Sequence, residues 1–274
     1  MKIISADRIS RIVADLCVRA NLYLRPDVLA RLRRARKAET SKRAKRLLDA
    51  IIDNALIARA ERLAICQDTG LPVVFVELGQ NVRVSGDLKK ALNQGVDAGY
   101  KKACLRQSVI RDPLVRGRST HSPALIHVDI VPGNSLKITV LPKGFGCENK
   151  SQLKMFHPTA GIEELKDFII NTVKSVGPDA CPPYVVGIGI GGTADYASLL
   201  AKKALLRKIK GKTADRLERE LLAAINKLNI GPMGLGGRTT ALAVNIEKSH
   251  THIAGLPVAL NFSCHALRSA TEAI

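Results

Sequence analysis

The sequence predicts an α+β fold, with a helical N-terminal layer packed on mixed or antiparallel sheets. Three observations carry this. The first sixty residues show helical periodicity alone. Strands of the buried type begin only after Cys66. Helices and strands then follow one another with no internal repeat and no low-complexity linker. The chain has 274 residues, 46% of them hydrophobic, enough for a globular core and too many for a disordered polyelectrolyte. It reads as one domain over 1–274, with the helical layer at 1–63 and the α+β part at 64–274.

Taken in order, Ile9, Ile12, Val13, Leu16 and Cys17 recur at i, i+3, i+4 spacing and mark the first helix. Pro26 suits the first turn of a second helix. Leu47, Leu48, Ile51, Ile52, Ala55 and Leu56 form the stripe of a third. Leu71 to Gly79, a largely apolar stretch bounded by Gly70 and Gly79, predicts a buried strand. Asp87 to Lys102 returns to helix. Ala124 to Gly133 and Ser135 to Gly144 read as two strands joined in a hairpin by a Pro-Gly turn. Gly161 to Gly177 is an amphipathic helix, and Tyr184 to Gly192 a strand running into a Gly-rich loop. Ala194 to Ile209 and Ala214 to Leu228 are two further helices, followed by strands in ALAVNIEKSH and LPVALNFSCH.

Lys and Arg number 43 against 24 Asp and Glu, a formal charge of +19. That balance fits a nucleic-acid surface, an anionic small substrate or an acidic partner. The densest block, Arg31 to Arg46, holds nine basic residues in sixteen, in a stretch that reads as helix, and such a block is commonly a solvated face. No zinc-finger or RRM signature is present, Trp is absent and aromatics are 3%, which disfavours a stacking module for nucleic acid. A basic nucleic-acid-binding protein stays as the remote alternative. No apolar run approaches the ~18 residues of a spanning helix, and MKIISADRIS has no apolar signal core, so the expected location is cytoplasmic. In a reducing compartment the six cysteines are thiols or metal ligands.

Gly187-Ile-Gly189-Ile-Gly191-Gly192 satisfies G-x-G-x-x-G between a strand and a helix. A dinucleotide unit also needs an acidic strand end about twenty residues on. AKKALLRKIKGK stands there instead, so the loop is either an anion site at a helix N-terminus or a tight packing turn. Cys17 and Cys104 sit in helical contexts and read as core. Cys66 (ICQDTG), Cys147 (KGFGCEN), Cys181 (GPDACPPY) and Cys264 (NFSCH) have unusual neighbours. No C-x-x-C occurs, which excludes a zinc ribbon. Three dispersed cysteines could hold an iron–sulfur cluster with one iron lacking a thiolate, or could be unrelated buried thiols.

Taken together, ICQDTG, LRQSVIRDP with PALIHVDIVPG, KGFGCEN, CPPYVVGIGIGGTAD and THIAGLPVALNFSCHALR resemble the class I iron–sulfur fumarases. More narrowly, the chain resembles the separate alpha subunit of the two-subunit form, shared with the L(+)-tartrate dehydratases. The likeness runs from about residue 5 to the C-terminus and implies the fold of those enzymes' N-terminal catalytic domain. It implies a [4Fe-4S] cluster held by Cys66, Cys181 and Cys264. Two stretches depart from the family pattern: Cys147 stands where a serine is usual, and VRGRSTHSPALIH lacks an N-T-G stretch, which affects the expected contacts around Ser119 to His121.

The resemblance implies interconversion of (S)-malate with fumarate and water, a hydro-lyase reaction of the tricarboxylic acid cycle. The alternative is L(+)-tartrate dehydration. Hydroxide is a poor leaving group, and a Lewis acid bound to it lowers the barrier by on the order of several kcal/mol. By the same resemblance Arg106 binds the remote carboxylate of a dicarboxylate substrate with its guanidinium fork. Gln67 and His252 contact substrate, Asp68 is catalytic in orienting or activating the base, and Gly146, beside Gly144, lets the backbone approach the acid. The family's proton-abstracting group lies in a C-terminal half beyond Ile274, so a beta subunit is expected, in a heterotetramer with the active site at a subunit boundary.

Overall fold

The structure, a computed structural model, describes residues 2–209 and 215–274. β1 (Lys2–Ser5) leads into α1 (Ala6–Leu22), α2 (Pro26–Ala38) and α3 (Lys42–Glu61). Next come β2 (Leu71–Gly79), β3 (Val82–Ser85), α4 (Leu88–Lys102), β4 (Val109–Asp112), β5 (Arg116–Thr120), β6 (Leu125–Val131) and β7 (Leu136–Lys143). The rest runs α5 (Phe145–Glu148), β8 (Gln152–Phe156), α6 (Ile162–Val176), β9 (Tyr184–Gly192), α7 (Ala194–Ala204), α8 (Arg216–Lys227), β10 (Ala241–Thr251), β11 (Leu256–Ser263) and β12 (Ala270–Ala273), with a 3-10 turn at Pro232–Gly234. The α+β class is as the sequence predicts. Among the described residues no helix is long and apolar enough to cross a membrane.

Capping explains several boundaries. The side chains of Ser5, Asp87 and Asp215 accept the amides of Arg8, Lys90 and Glu218, each satisfying a first-turn N–H that has no partner within its helix. The expected start of the last helix at Ala214 lies outside the described residues; Asp215 is its cap. The basic block falls on α2 and the start of α3. Val28, Leu32 and Ala35 are buried on α2, Arg31 is half-buried and donates from Nε to the Leu242 carbonyl at 2.9 Å, and Arg33, Arg34 and Arg36 are exposed, with Arg36 paired to Asp49 at 2.8 Å, so much of the block is a solvated helical face.

Contacts divide the chain into two compact units, Met1–Arg25 with Ala55–Phe145 and Arg268–Ile274, and Pro26–Asn54 with Gly146–Leu267. The N-terminal helices are shared between them: α1 belongs to the first, and α2 with most of α3 to the second. In the first unit the sheet order is β12-β7-β2-β6. Its core joins Val74, Val76, Ile138 and Val140 to Ile9, Val13 and Leu16 of α1 and to Leu92 and Val96 of α4. In the second unit the order is β10-β9-β11-β8, and its core joins Val186, Ile188, Val258 and Leu260 to Leu165, Ile169 and Val173 of α6 and to Leu221 and Ile225 of α8.

The expected β6–β7 hairpin does not form. The two strands flank β2, β6 parallel to it and β7 antiparallel. The amides of Gly79, Gln80 and Asn81 donate to the carbonyls of Ser135, Val131 and Gly133, so the Pro-Gly loop wraps the end of β2. A strand as apolar as β2 is most stable with neighbours on both edges, and that overrides the local turn signal. The second unit repeats the arrangement: β9 lies between parallel β10 and antiparallel β11. Cys104, expected in the core, is exposed just past the end of α4, in the left-handed region at φ 51°. Cys17 is fully buried on α1, where burial pushes its thiol pKa far up.

The glycine loop is resolved as a packing device. A Cβ on Gly187 would fall 2.1 Å from the Ala201 carbonyl oxygen, and one on Gly189 2.0 Å from that of Ala197. The two glycines let α7 lie directly on β9. Gly189→Ala is therefore expected to destabilise the protein by about 1–3 kcal/mol or more, because the clash is with helix backbone and cannot be relieved by a rotamer change. Denaturant titration against the parent chain measures this, and an unchanged midpoint would contradict the packing role.

Candidate active site

In the first unit the chemistry-bearing residues collect at one end of the sheet. β2 and β7 are antiparallel, and Leu71 at the start of β2 pairs with Lys143 at the end of β7. The loop Cys66–Gly70 before β2 therefore adjoins Gly144–Phe145 after β7. Asp68 joins the two: its Oδ1 accepts the Gly70 amide at 2.9 Å and its Oδ2 accepts the Phe145 amide at 2.8 Å. Arg268, 3% exposed, donates from Nη2 to the Asp68 carbonyl at 2.7 Å and from Nη1 to Asn21 Oδ1 at 3.5 Å, while its Nε has no partner among the described residues. The Tyr100 hydroxyl donates toward the carbonyls of Thr69 and Gly70 at 3.1 and 3.2 Å. Burial raises its pKa, which keeps it a donor.

The same loop locates Arg106. The Thr69 hydroxyl donates to the Arg106 carbonyl at 3.3 Å, and His121 Nε2–H donates to the neighbouring Leu105 carbonyl at 3.2 Å. His121 is buried and its other nitrogen lies 3.6 Å from Asp97 Oδ1, so it supports the Arg106 turn. Ser119 lies in β5, paired with Ile110 of β4. The Arg106 side chain is exposed. Cys66 is half-buried, with its S–H donating to Gln67 Oε1 at 3.3 Å, and Gln67 is exposed.

In the second unit the equivalent end of the sheet carries two thiols. Val185 near the start of β9 pairs with Ser263 at the end of β11, so Cys181 before β9 and Cys264 after β11 are neighbours although far apart in sequence. His265 ties them: its backbone amide and its Nδ1–H donate to the Cys181 carbonyl at 3.3 and 3.0 Å. Cys181 holds a left-handed backbone at φ 51°. Both thiols are half-buried. Cys147 is buried behind them, its S–H donating to the Ala180 carbonyl at 3.4 Å. Gly146 sits in α5, exposed, with nothing within 4 Å of where a Cβ would be. Asn261 Nδ2 donates to Glu148 Oε2 and Ser151 Oγ, and Lys202 pairs with Glu148 at 2.6 Å.

His252 is not brought to these residues. It lies in the turn between β10 and β11, beside Gly192 at the far end of β9 from Cys181. Nine residues of strand put it roughly 25–30 Å from the two thiols. Its Nδ1 accepts the Ala254 amide at 3.1 Å, so the neutral ring carries its proton on Nε2. Tyr100, His265 and Arg268 were not singled out by sequence. His265 and Arg268 stand in SCHALR beside a flagged cysteine, which is a usable signal; Tyr100 carries none.

Among the described residues no three Cys, His, Asp or Glu side chains converge to hold a single metal ion. A cubane cluster presents separate irons to separate thiolates, so its ligands need not meet at one point. The donor chemistry separates the cysteines: Cys66, Cys181 and Cys264 are half-buried on loops at sheet ends, Cys17 and Cys147 are sealed, and Cys104 stands apart past α4. Of the six, these three are the thiols whose partial exposure on loops suits a thiolate ligand.

The family and the relatives that the chain matches make it a hydro-lyase of the fumarate hydratase class. The chain belongs to the family described as Fumarate hydratase (Fumerase), whose model matches residues 10–273. It is 44% identical to a protein named putative L(+)-tartrate dehydratase subunit alpha from Methanocaldococcus jannaschii, over 97% of this chain and 98% of that protein. It is 32% identical to the L(+)-tartrate dehydratase subunit alpha of Escherichia coli strain UTI89, over 97% and 91%.

Asp68→Asn keeps one acceptor but turns an NH2 toward an amide donor. It is expected to weaken the loop by about 1–3 kcal/mol. Hydrogen exchange should show faster exchange at the Gly70 and Phe145 amides and no change in α7; unchanged protection would mean that Asp68 does not hold the loops.

Proposed function

We propose that this chain is the alpha subunit of a [4Fe-4S]-dependent hydro-lyase that interconverts (S)-malate and fumarate, and that it works with a beta subunit in a heterotetramer. The observation that carries the reading is the joining of Cys181 to Cys264 through His265, at the same end of the sheet where family membership leads one to look for cluster ligands. Cys66, Cys181 and Cys264 would hold the cluster. Bound there, it supplies a Lewis-acidic iron for the departing hydroxyl.

The chain's own residues do the rest. Arg106, exposed on a turn fixed by Thr69 and His121, binds the distant carboxylate of the substrate with a two-pronged guanidinium contact. Gln67 offers an amide to the substrate beside Cys66. Asp68 spends both oxygens on backbone amides and so acts as a positioning residue, keeping Gln67 and Gly144 in place. The exposed backbone at Gly146 leaves room for a carboxylate to approach. His252 lies a strand's length from the thiols, so a part in substrate binding would need a second chain to bring it there. The proton-abstracting group is assigned to the beta subunit.

The names of the relatives favour a second reading, dehydration of L(+)-tartrate. The two substrates differ by one hydroxyl, and a site built to hydrogen-bond that group rejects an analogue lacking it by orders of magnitude. Anaerobic assay of the purified complex on malate and on L(+)-tartrate is expected to give the higher kcat/KM for malate; the reverse order establishes the second reading.

Replacing Cys66, Cys181 or Cys264 by Ser is expected to abolish iron and sulfide content and the brown absorbance, whereas Cys17→Ser and Cys104→Ser retain them. Cluster loss confined to Cys147→Ser would overturn the ligand assignment. The alpha chain alone, with its cluster reconstituted, is expected to show no malate turnover. Full activity without a second chain would place the base within these 274 residues.

A further inference from the structure

We propose that β6 is the contact between two copies of this chain, its edge pairing antiparallel with itself about a two-fold axis through Val128. The strand has β2 on one side and no strand on the other among the described residues. It is seven residues long and contains no Lys, Arg or Pro, and its one charged residue is Asp129. Leu125, Val128 and Ile130 are exposed on it, Ile130 at 71%. The other edges are protected. β12 is only four residues long. β8 carries Lys154, whose ammonium lies over the Phe156 ring at 4.3 Å. β10 carries Lys248, and α8 packs on it.

The sequence of β6 selects both the occupant and the register. A two-fold normal to the sheet keeps each side chain on its own face, so only pairings that preserve the alternation are open. Centred on His127, the pairing would oppose two imidazoles. Centred on Asp129, it would oppose two carboxylates, which is destabilising. Centred on Val128, it places His127 opposite Asp129 of the second copy twice, Ile126 opposite Ile130 twice, and Leu125 opposite Val131 twice. This register makes every cross-strand pair complementary and covers the exposed apolar residues. The two four-stranded sheets then become one eight-stranded sheet, with α1 and α4 of each copy on the same side. This inference concerns assembly and does not depend on the substrate proposed above.

The test uses the full chain, alone and co-purified with its beta subunit. Val128→Cys is expected to form a disulfide-linked dimer of this chain under mild oxidation, because residues opposed across antiparallel strands have Cα atoms about 4.5–5.5 Å apart, within disulfide reach. Ile130→Cys and the parent chain are not expected to do so. A Val128→Cys chain that cross-links no more than the parent overturns the proposal. Sedimentation equilibrium tests the register. His127→Asp opposes two carboxylates and is expected to weaken the dimer about tenfold. The exchange His127→Asp with Asp129→His restores the pair and the association. His127 stacks on Phe75 at 5.1 Å, so far-UV circular dichroism and melting must show each variant folded. A folded exchange variant as weak as His127→Asp would exclude this register. Release of the beta subunit by Val128→Lys, with the copies of this chain still associated, would show that the edge belongs to that subunit and overturn the inference.

Discussion

Each unit is organised by one buried strand that needs a neighbour on both edges. β2 and β9 are nine residues each and buried along most of their length, so neither can stand at the rim of a sheet. Each gains a parallel neighbour from the next long strand and an antiparallel neighbour from the one after. Antiparallel pairing brings the loop that enters the central strand beside the loop that leaves its partner. That single constraint puts Asp68 near Gly144 in one unit and Cys181 near Cys264 in the other. The chemistry therefore lies at sheet ends, where loops can present side chains on a rigid base.

The polar groups behind these loops show how the loops are held. Asp68, Tyr100 and Arg268 converge on the backbone of Cys66–Gly70, and His265 does the same for Cys181. A buried guanidinium costs a great deal to desolvate unless it is hydrogen-bonded, and Arg268 recovers part of that cost by gripping the Asp68 carbonyl. The glycines of β9 serve a different end. They resemble a nucleotide loop in sequence, yet the space of the missing side chains at Gly187 and Gly189 is filled by carbonyls of α7 and that at Gly191 by the Ser249 carbonyl of β10.

The sequence by itself determined the helices, the long strands and the ligand candidates. Periodicity and caps are local, so α4 and α6 were legible to within a residue or two and α1 as an apolar stripe, as was β2 from its apolar run between glycines. The contexts of Cys66, Cys181 and Cys264 were legible as motifs. Only the tertiary structure decided pairing. The Pro-Gly turn after β6 signalled a hairpin, but β2 entered between the strands because burying it on both edges is worth more than a tight turn. The short strands β1, β4, β8 and β12 carry too few residues for a period and exist only through their partners. Which residues share a site was likewise out of reach: His252 belongs to the same C-terminal motif as Cys264, yet the direction of β11 sends it to the opposite end of the sheet. Tyr100, on the buried face of α4, reads as core until the fold brings its hydroxyl to the Thr69 and Gly70 carbonyls. Residue type and spacing fix what a side chain can do, while strand order and direction, set by burial over the whole sheet, fix what it can reach.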